Sequence, residues 1–229
     1  MKPIFSASLM CMNFLDVRDD IHELNIGCDM LHADVMDGHF AKNLTLSPDF
    51  IRDVKSISQI PIDVHLMVDT PEQYLDGLIA IGVDYISLHI ETINVNAFRL
   101  MRKIKEAGIR FGLALNPATP IEMAVHLLSE VDLLTIMSVD VGYAGQAFIP
   151  QVIDKITQAR DLKNKHGYDY IVQIDGACGP KTYDLLWQAG AVAFVVGTSG
   201  LFGRRETISA SCKLMKKEFE AAVKKEVSN

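Results

Sequence analysis

IDVHLMVDTPEQYLDGLIAIGVDYISLH, residues 62–89, is the stretch on which the architecture turns. It opens and closes with short apolar or β-branched runs, Ile62 to Leu66 and Tyr85 to His89. Between them Thr70-Pro71-Glu72 predicts a helix start, an N-cap hydroxyl ahead of a proline at the first helical position. Gly82 predicts its end, because glycine takes the left-handed conformation of a C-terminal cap without strain. Strand, helix and strand follow within 28 residues, and strands joined through a helix pair in parallel.

The same unit recurs in both directions. Strands are predicted at Ile4 to Leu9, Met30 to Asp34, Ile62 to Leu66, Tyr85 to His89, Arg110 to Leu115, Leu133 to Met137, Tyr170 to Asp175 and Ala193 to Gly197. Thr119-Pro120-Ile121-Glu122 repeats the helix start, and Gly27, Gly108 and Gly190 repeat the helix end. Right-handed crossovers repeated about eight times close a sheet on itself, so the expectation is an α/β protein, one (β/α)8 TIM barrel over residues 1–229. An open doubly wound sheet would have fewer units and a glycine-rich first turn, whereas the first strand here ends in Ser8-Leu9-Met10.

Composition agrees with one large core: 229 residues, 49% hydrophobic and 22% charged. A net charge of -7 disfavours nucleic acid, which is bound by clustered Lys and Arg. Cys11, Cys28, Cys178 and Cys212 form no C-x-x-C pair, which predicts neither a zinc knuckle nor a disulfide framework and points to a reducing cytosol. MKPIFSASLMCMNF runs directly into Asp16, Arg18, Asp19 and Asp20, as a first strand does and a signal peptide does not. No apolar run has the roughly 18 residues of a membrane span.

In barrels of this kind chemistry sits at the C-terminal strand ends. Period two puts His32, Asp34 and Met36 of the second strand on one face; His65 lies near the end of the third, and Asp175 ends the seventh. Two imidazoles and two carboxylates at one end of a barrel form a mixed N and O ligand set for one divalent ion, zinc, manganese, iron or cobalt. A single strand-end histidine more often packs and hydrogen-bonds, but two buried carboxylates without a cation would cost several kcal/mol or hold protons. His22, His126 and His166 fall in helical or connecting stretches and read as solvated; His39 and His89 have no partner of matching chemistry and read as structural. Glycine and small residues follow strands six to eight, at Val141-Gly142-Tyr143-Ala144-Gly145-Gln146, Gly176-Ala177 and Gly197-Thr198-Ser199-Gly200, where barrels often bind phosphate. Met10, Met36, Met67 and Met137 also fall at strand ends, either filling gaps or packing over a reacting carbon.

Ser8-Leu-Met-Cys-Met12, His32-Ala-Asp-Val-Met-Asp-Gly-His39, Asn43-Leu-Thr-Leu46, Asp63-Val-His-Leu-Met-Val68, Leu115-Asn-Pro-Ala-Thr-Pro120 and Val196-Gly-Thr-Ser-Gly-Leu-Phe202 closely resemble the ribulose-phosphate 3-epimerase family. The resemblance runs from the first strand to the eighth and implies a barrel of the ribulose-phosphate-binding type. It implies a metal-dependent isomerase that inverts C3 of a ketose phosphate by two-base proton transfer through an enediolate. His32, Asp34, His65 and Asp175 would hold the metal, with Asp34 the proton acceptor and Asp175 the donor. Ser8, His65, Met36, Met67, Met137, Gly145, Gln146, Gly176, Ala177, Gly197, Thr198 and Ser199 would meet the sugar phosphate. Within the family, Ser-Leu-Met-Cys-Met, Glu91-Thr-Ile-Asn94 and Gly197-Thr-Ser-Gly-Leu-Phe202 look most like the branch that interconverts D-allulose 6-phosphate and D-fructose 6-phosphate. The pentose-phosphate enzyme, the alternative, usually has Ser-Ile-Leu-Ser near its start and a Gly-Ser pair in its last loop. The resemblance also implies a homo-oligomer, and the cysteine usage a cytoplasmic one. Val141, Ala144, Ile90 and Ala177 depart from the family pattern of proline, glycine, proline, and glycine or serine, which bears on phosphate affinity and substrate choice. Two readings from other classes compete. A barrel lyase would carry Asp-x-Lys-x-x-Asp at strand ends, and the nearest string, Asp161-Leu-Lys163-Asn-Lys-His166, lacks the last Asp and is predicted helical. A non-catalytic sugar-phosphate binder would lack one of the two aspartates.

Overall fold

Alternation along each strand separates two environments, and the closed sheet of the computed structural model puts them on opposite faces. The structure describes residues 2–224; Met1 and residues 225–229, the ends of the predicted 1–229 domain, lie outside the described residues. Among the described residues eight strands close into a barrel in sequence order: β1 Ile4–Ser8, β2 Met30–Met36, β3 Ile62–Met67, β4 Tyr85–His89, β5 Arg110–Leu115, β6 Leu133–Met137, β7 Ile171–Asp175 and β8 Ala193–Val196. Every adjacent pair is parallel, and β1 joins β8 with Ile4 opposite Ala193. The α/β barrel expected from the repeat is therefore the observed fold.

The outward residues of the strands, among them Ala7, Leu31, Val64, Leu88, Phe111, Ile136, Ile174 and Val196, belong to the main core shared with the helices. The inner face is different. Met30, Tyr85 and Leu133 form a small separate cluster with Ile171, residues at the N-terminal ends of their strands, and the Arg110 guanidinium stacks 4.0 Å from the Tyr85 ring centre. Above this apolar floor the inner face turns polar: Ser6, His32, Asp63, Ser87, Thr135 and Gln173 are all fully buried. Gly112 is required at this level, because a Cβ there would stand 2.0 Å from Ser87 Oγ and 2.9 Å from the Ser87 backbone.

The helices are α1 Val17–Gly27, α2 Pro48–Lys55, α3 Glu72–Ile81, α4 Ile90–Ile93, α5 Ala97–Glu106, α6 Val152–His166, α7 Tyr183–Ala189 and α8 Ile208–Val223. Gly82 and Gly190 close α3 and α7 in the left-handed conformation, and Gly108, also at positive φ, lies just past the end of α5. Gly27 differs from its predicted role: it is the last residue of α1, and glycine is needed because a Cβ would come within 2.4 Å of Cys212 Sγ on α8. The two Thr-Pro helix starts also need correction. Pro71 is itself the residue flanking α3, with no side-chain cap, and Thr119-Pro120 precedes only 3₁₀ turns, Ile121–Ala124 and Leu128–Glu130. The Thr119 hydroxyl instead donates to Glu91. Side-chain caps occur at Ser47, accepting from Phe50 N at 3.3 Å, and Thr207, accepting from Ala210 N at 3.1 Å. Among the described residues no helix is long and apolar enough to cross a membrane, and the four cysteines are free.

Candidate active site

Register carries the strand-end residues to one place. Ser8 pairs with His32, Asp34 with His65, Met36 with Met67, and Met137 with Asp175. Nε2 of His32 stands 3.2 Å from Asp34 Oδ1 and 3.5 Å from Asp175 Oδ2, and Nδ1 of His65 stands 3.4 Å from each of the same two oxygens. The two ring nitrogens are 3.2 Å apart. Donors held about 2.0–2.1 Å from one centre at tetrahedral angles are separated by about 3.4 Å, so these spacings are those of a ligand cage. One donor atom from each of the four residues lies within 4.8 Å of the others, and the set can hold a metal ion.

Electrostatics say why such a cage wants a cation. Burial opposes a charge on His32, yet the Asp34 carboxylate and hydrogen bonds with Asp175, Asp34 and Asp63 outweigh it and hold the imidazole pKa well above its usual range. Burial likewise opposes charge on His65, and its bonds to Asp175 and Asp34 raise its pKa. Asp34 and Asp175 move the other way: burial would raise both, but the neighbouring imidazoles pull them below the ordinary carboxylate range. The two carboxylates thus favour positive charge in the cage, whether as a proton on an imidazole or as a cation. A bound divalent cation would compete with such protons for the same lone pairs.

Behind the cage lies a ring of residues unforeseen from the sequence. Asp63, fully buried on β3, accepts from Ser87 Oγ at 2.6 Å and Gln173 Nε2 at 3.0 Å, and its Oδ2 lies 2.9 Å from His32 Nδ1. Its carboxyl would be raised by burial but is lowered by the His32 hydrogen bond and charge and by Ser87 and Gln173. On the other side His65 Nε2 lies 2.9 Å from His89 Nε2, and His89 Nδ1 lies 3.1 Å from Glu91 Oε2. His89 was expected to lack a chemical partner; it has two. Burial pushes its pKa down to about 4, while that of Glu91, which burial would raise, is brought down to about 2, first by its hydrogen bond with His89. The signal available beforehand was only the inward alternation of Asp63 with His65 on β3 and the His89-x-Glu91 spacing across the end of β4.

A cleft opens over the cage. Ser8, Asp34, Met36, Met67, Met137, Gly145, Asp175, Gly176, Ala177, Gly197, Thr198 and Ser199 all line it, together with Cys11 and Cys178, which sequence reasoning had not singled out. His32 and His65 lie fully buried beneath the cleft rather than on its wall. Gln146 is not on the wall either: its amide donates to the Asp140 carbonyl at 2.6 Å and the Tyr143 carbonyl at 2.9 Å, bracing the loop that carries Gly145. That loop is tied across the mouth by Asn43 Nδ2 donating to Gly142 O at 2.8 Å. Gly176 must be glycine, since its φ is +106 and a Cβ would meet Val139 Cγ2 at 2.5 Å; Ala177 follows at φ +48. His22, His39, His126 and His166 are exposed, and the string Asp161 to His166 is helical, with no part in the cleft.

Residues 4–202 match the ribulose-phosphate 3 epimerase family. A ribulose-phosphate 3-epimerase of Bacillus subtilis (strain 168) is 34% identical over 208 residues, 89% of this chain and 95% of that protein. The chain belongs to the ribulose-phosphate 3-epimerase family. A chloroplastic ribulose-5-phosphate-3-epimerase of Arabidopsis thaliana is 35% identical over 209 residues, 90% of this chain and 74% of that protein. In shape this epimerase-family chain is similar to KGPDC from Streptococcus mutans, with TM-score 0.68 and 11% identity over 97% of this chain and 99% of that one. It is also similar to 3-hexulose-6-phosphate synthase from Salmonella typhimurium, with TM-score 0.69 and 13% identity over 96% of this chain and 99% of that one. At those identities the likeness shows the barrel alone.

Proposed function

We propose that this member of the epimerase family inverts C3 of a D-ketose phosphate by passing protons between the substrate and two aspartates. The observation that carries the reading is the division of labour within each carboxylate. Asp34 turns Oδ1 to the two imidazoles while its Oδ2 accepts from Ser8 Oγ at 3.0 Å at the cleft wall, and Asp175 meets the imidazoles through Oδ2. One oxygen of each residue therefore serves the cage and leaves the other for the substrate.

The chemistry requires removal of the proton beside the C2 carbonyl and return of a proton to the opposite face. Asp34, approaching from β2, takes the C3 proton; Asp175, approaching from β7 and carrying a proton, gives it to the other face of the enediolate. The reverse reaction exchanges these roles. Ser8 orients the Asp34 carboxylate, and the Met36, Met67 and Met137 side chains keep water from the reacting carbon. A divalent ion held by His32, Asp34, His65 and Asp175 would supply positive charge to stabilise the oxyanion as it develops. Backbone N–H groups of the loops after β6, β7 and β8 would hold the phosphate, fixing C3 between the carboxylates with binding energy remote from the reaction.

The names of the curated relatives support D-ribulose 5-phosphate as substrate. A second reading, D-allulose 6-phosphate, is supported by Ser8-Leu-Met-Cys-Met12 and by Gly197-Thr-Ser-Gly-Leu-Phe202, where the pentose-phosphate pattern would have Ser-Ile-Leu-Ser and a Gly-Ser pair. Incubation with each ketose phosphate in heavy water distinguishes them. The proposal expects deuterium at C3 alone, with the higher kcat/KM marking the true substrate; label elsewhere, or none with either sugar, refutes C3 epimerisation.

A further inference from the structure

We propose that Glu91 is a positioning residue that sets the tautomer of His65 through His89, and so decides whether His65 presents a lone pair or a proton to the cation cage. The inference rests on the metal-site reading above and adds a residue that never touches the ion. The geometry is a chain of single-proton choices. Glu91 Oε2, 3.1 Å from His89 Nδ1, belongs to a carboxylate that only accepts, so Nδ1 of His89 carries the hydrogen. In a neutral imidazole Nε2 is then the acceptor, and the nitrogen facing it at 2.9 Å, His65 Nε2, must be the donor. When a cation occupies the cage and His65 is neutral, its Nδ1, the atom 3.4 Å from both Asp34 and Asp175, is thereby left with its lone pair turned into the cage. His32 reaches the same state in one step, since its Nδ1 faces the Asp63 carboxylate at 2.9 Å and its Nε2 faces the cage. The two histidines use opposite nitrogens toward the cage, so each needs its own carboxylate behind it.

Glu91 is itself held so that its orientation is not free. Its Oε1 accepts from the Asn116 backbone N–H at 2.9 Å and from the Thr119 hydroxyl. The buried Lys155 ammonium pins the same turn by donating to the carbonyls of Asn116 at 2.7 Å and Pro117 at 2.8 Å. This arrangement gives Glu91→Gln a definite meaning. The Asn116 N–H accepts nothing, so the glutamine must keep its oxygen there and turn its NH₂ toward His89. His89 then has to accept at Nδ1 and donate from Nε2; His65 has to accept at Nε2 and carry its hydrogen on Nδ1, aimed into the cage. One isosteric change inverts the whole relay.

The test uses the full-length protein loaded with zinc, which is diamagnetic. In the wild type, ¹⁵N correlation spectra of the histidine rings are expected to show His89 protonated at Nδ1 and His65 protonated at Nε2; the opposite pattern overturns the proposal without any variant. Chelator competition on Glu91→Gln is expected to weaken zinc binding by about 10- to 100-fold, the range found for partners behind a metal-binding histidine. In a His89→Ala background the same Glu91 change is expected to cost nothing further, because Glu91 acts through His89 alone. Equal zinc affinity of Glu91→Gln and wild type, or an undiminished Glu91 effect without His89, removes the relay while the cage stands. Failure of the wild type to bind zinc, with manganese and cobalt also rejected, removes the cage and the relay with it.

Discussion

Asp34 and Asp175 carry the proposed proton exchange, so Asp34→Asn or Asp175→Asn is expected to leave a folded barrel with turnover lowered by about 10²- to 10⁴-fold, read from steady-state kinetics beside circular dichroism. Near-wild-type turnover in either variant would refute the two-base assignment. A structural residue makes a sharper stability test. Gly112→Ala would drive a methyl group against Ser87, whose hydroxyl donates to Asp63, and overpacking of this kind costs about 1–3 kcal/mol, measurable by urea unfolding. At this scale the sequence was read well where a side chain's neighbours follow from alternation. His32, Asp34, His65 and Asp175 are recognisable because they share the inward face toward the C-terminal ends of their strands, and the register joins them. Glu91 was not, because the chain passes from β4 into α4 between it and His89, and the period changes from two to 3.6 at that point. Asp63 was unread for another reason: its partners His32, Ser87 and Gln173 come from three other strands, and a single strand does not reveal them.

At the level of elements the barrel repeats a device at every second crossover. Asp29, Asp84 and Asp132 each stand just before an even-numbered strand, and each carboxylate accepts the backbone N–H at the foot of the preceding odd strand, from Phe5 at 3.1 Å, Ile62 at 2.9 Å and Phe111 at 2.8 Å. Each Asp backbone N–H also donates to the carbonyl of the same residue. The fourth pair keeps only the backbone bond, Val192 N to Val172 O, because valine stands where the others have aspartate. Asp132→Ala would leave the Phe111 N–H without its partner at the base of β5. The expected loss is about 1–2 kcal/mol in denaturant titration, with the cleft and its turnover unchanged. The eight strands were legible to within a residue or two because apolar runs bounded by turns have few other solutions. Helix beginnings were less so. Thr119 resembles an N-cap in sequence, but the Glu91 carboxylate claims its hydroxyl, and tertiary bonding displaced local propensity.

Across the whole molecule the cage links folding to pH in a direction that metal should change. The lowered carboxyl pKa values of Asp34 and Asp175 give stability that is complete above about pH 4 and lost as pH falls through their folded values. The raised pKa of His32 and His65 gives stability complete below about pH 6.5 and lost as pH rises through theirs. Chelated protein is therefore expected to have its highest Tm between about pH 4 and 6.5, declining on the alkaline side, whereas zinc-loaded protein should keep its Tm there because the ion replaces the protons. Identical pH profiles with and without metal would contradict this linkage. The apolar floor of Met30, Tyr85, Leu133 and Ile171 has an effect at the same scale. It makes the barrel a vessel with a single opening, so a sugar lodged in the mouth is also its stopper. Hydrogen picked up by an aspartate would then be shut away from bulk solvent until the product leaves, and the isotope each product carries would record how long the door stayed closed.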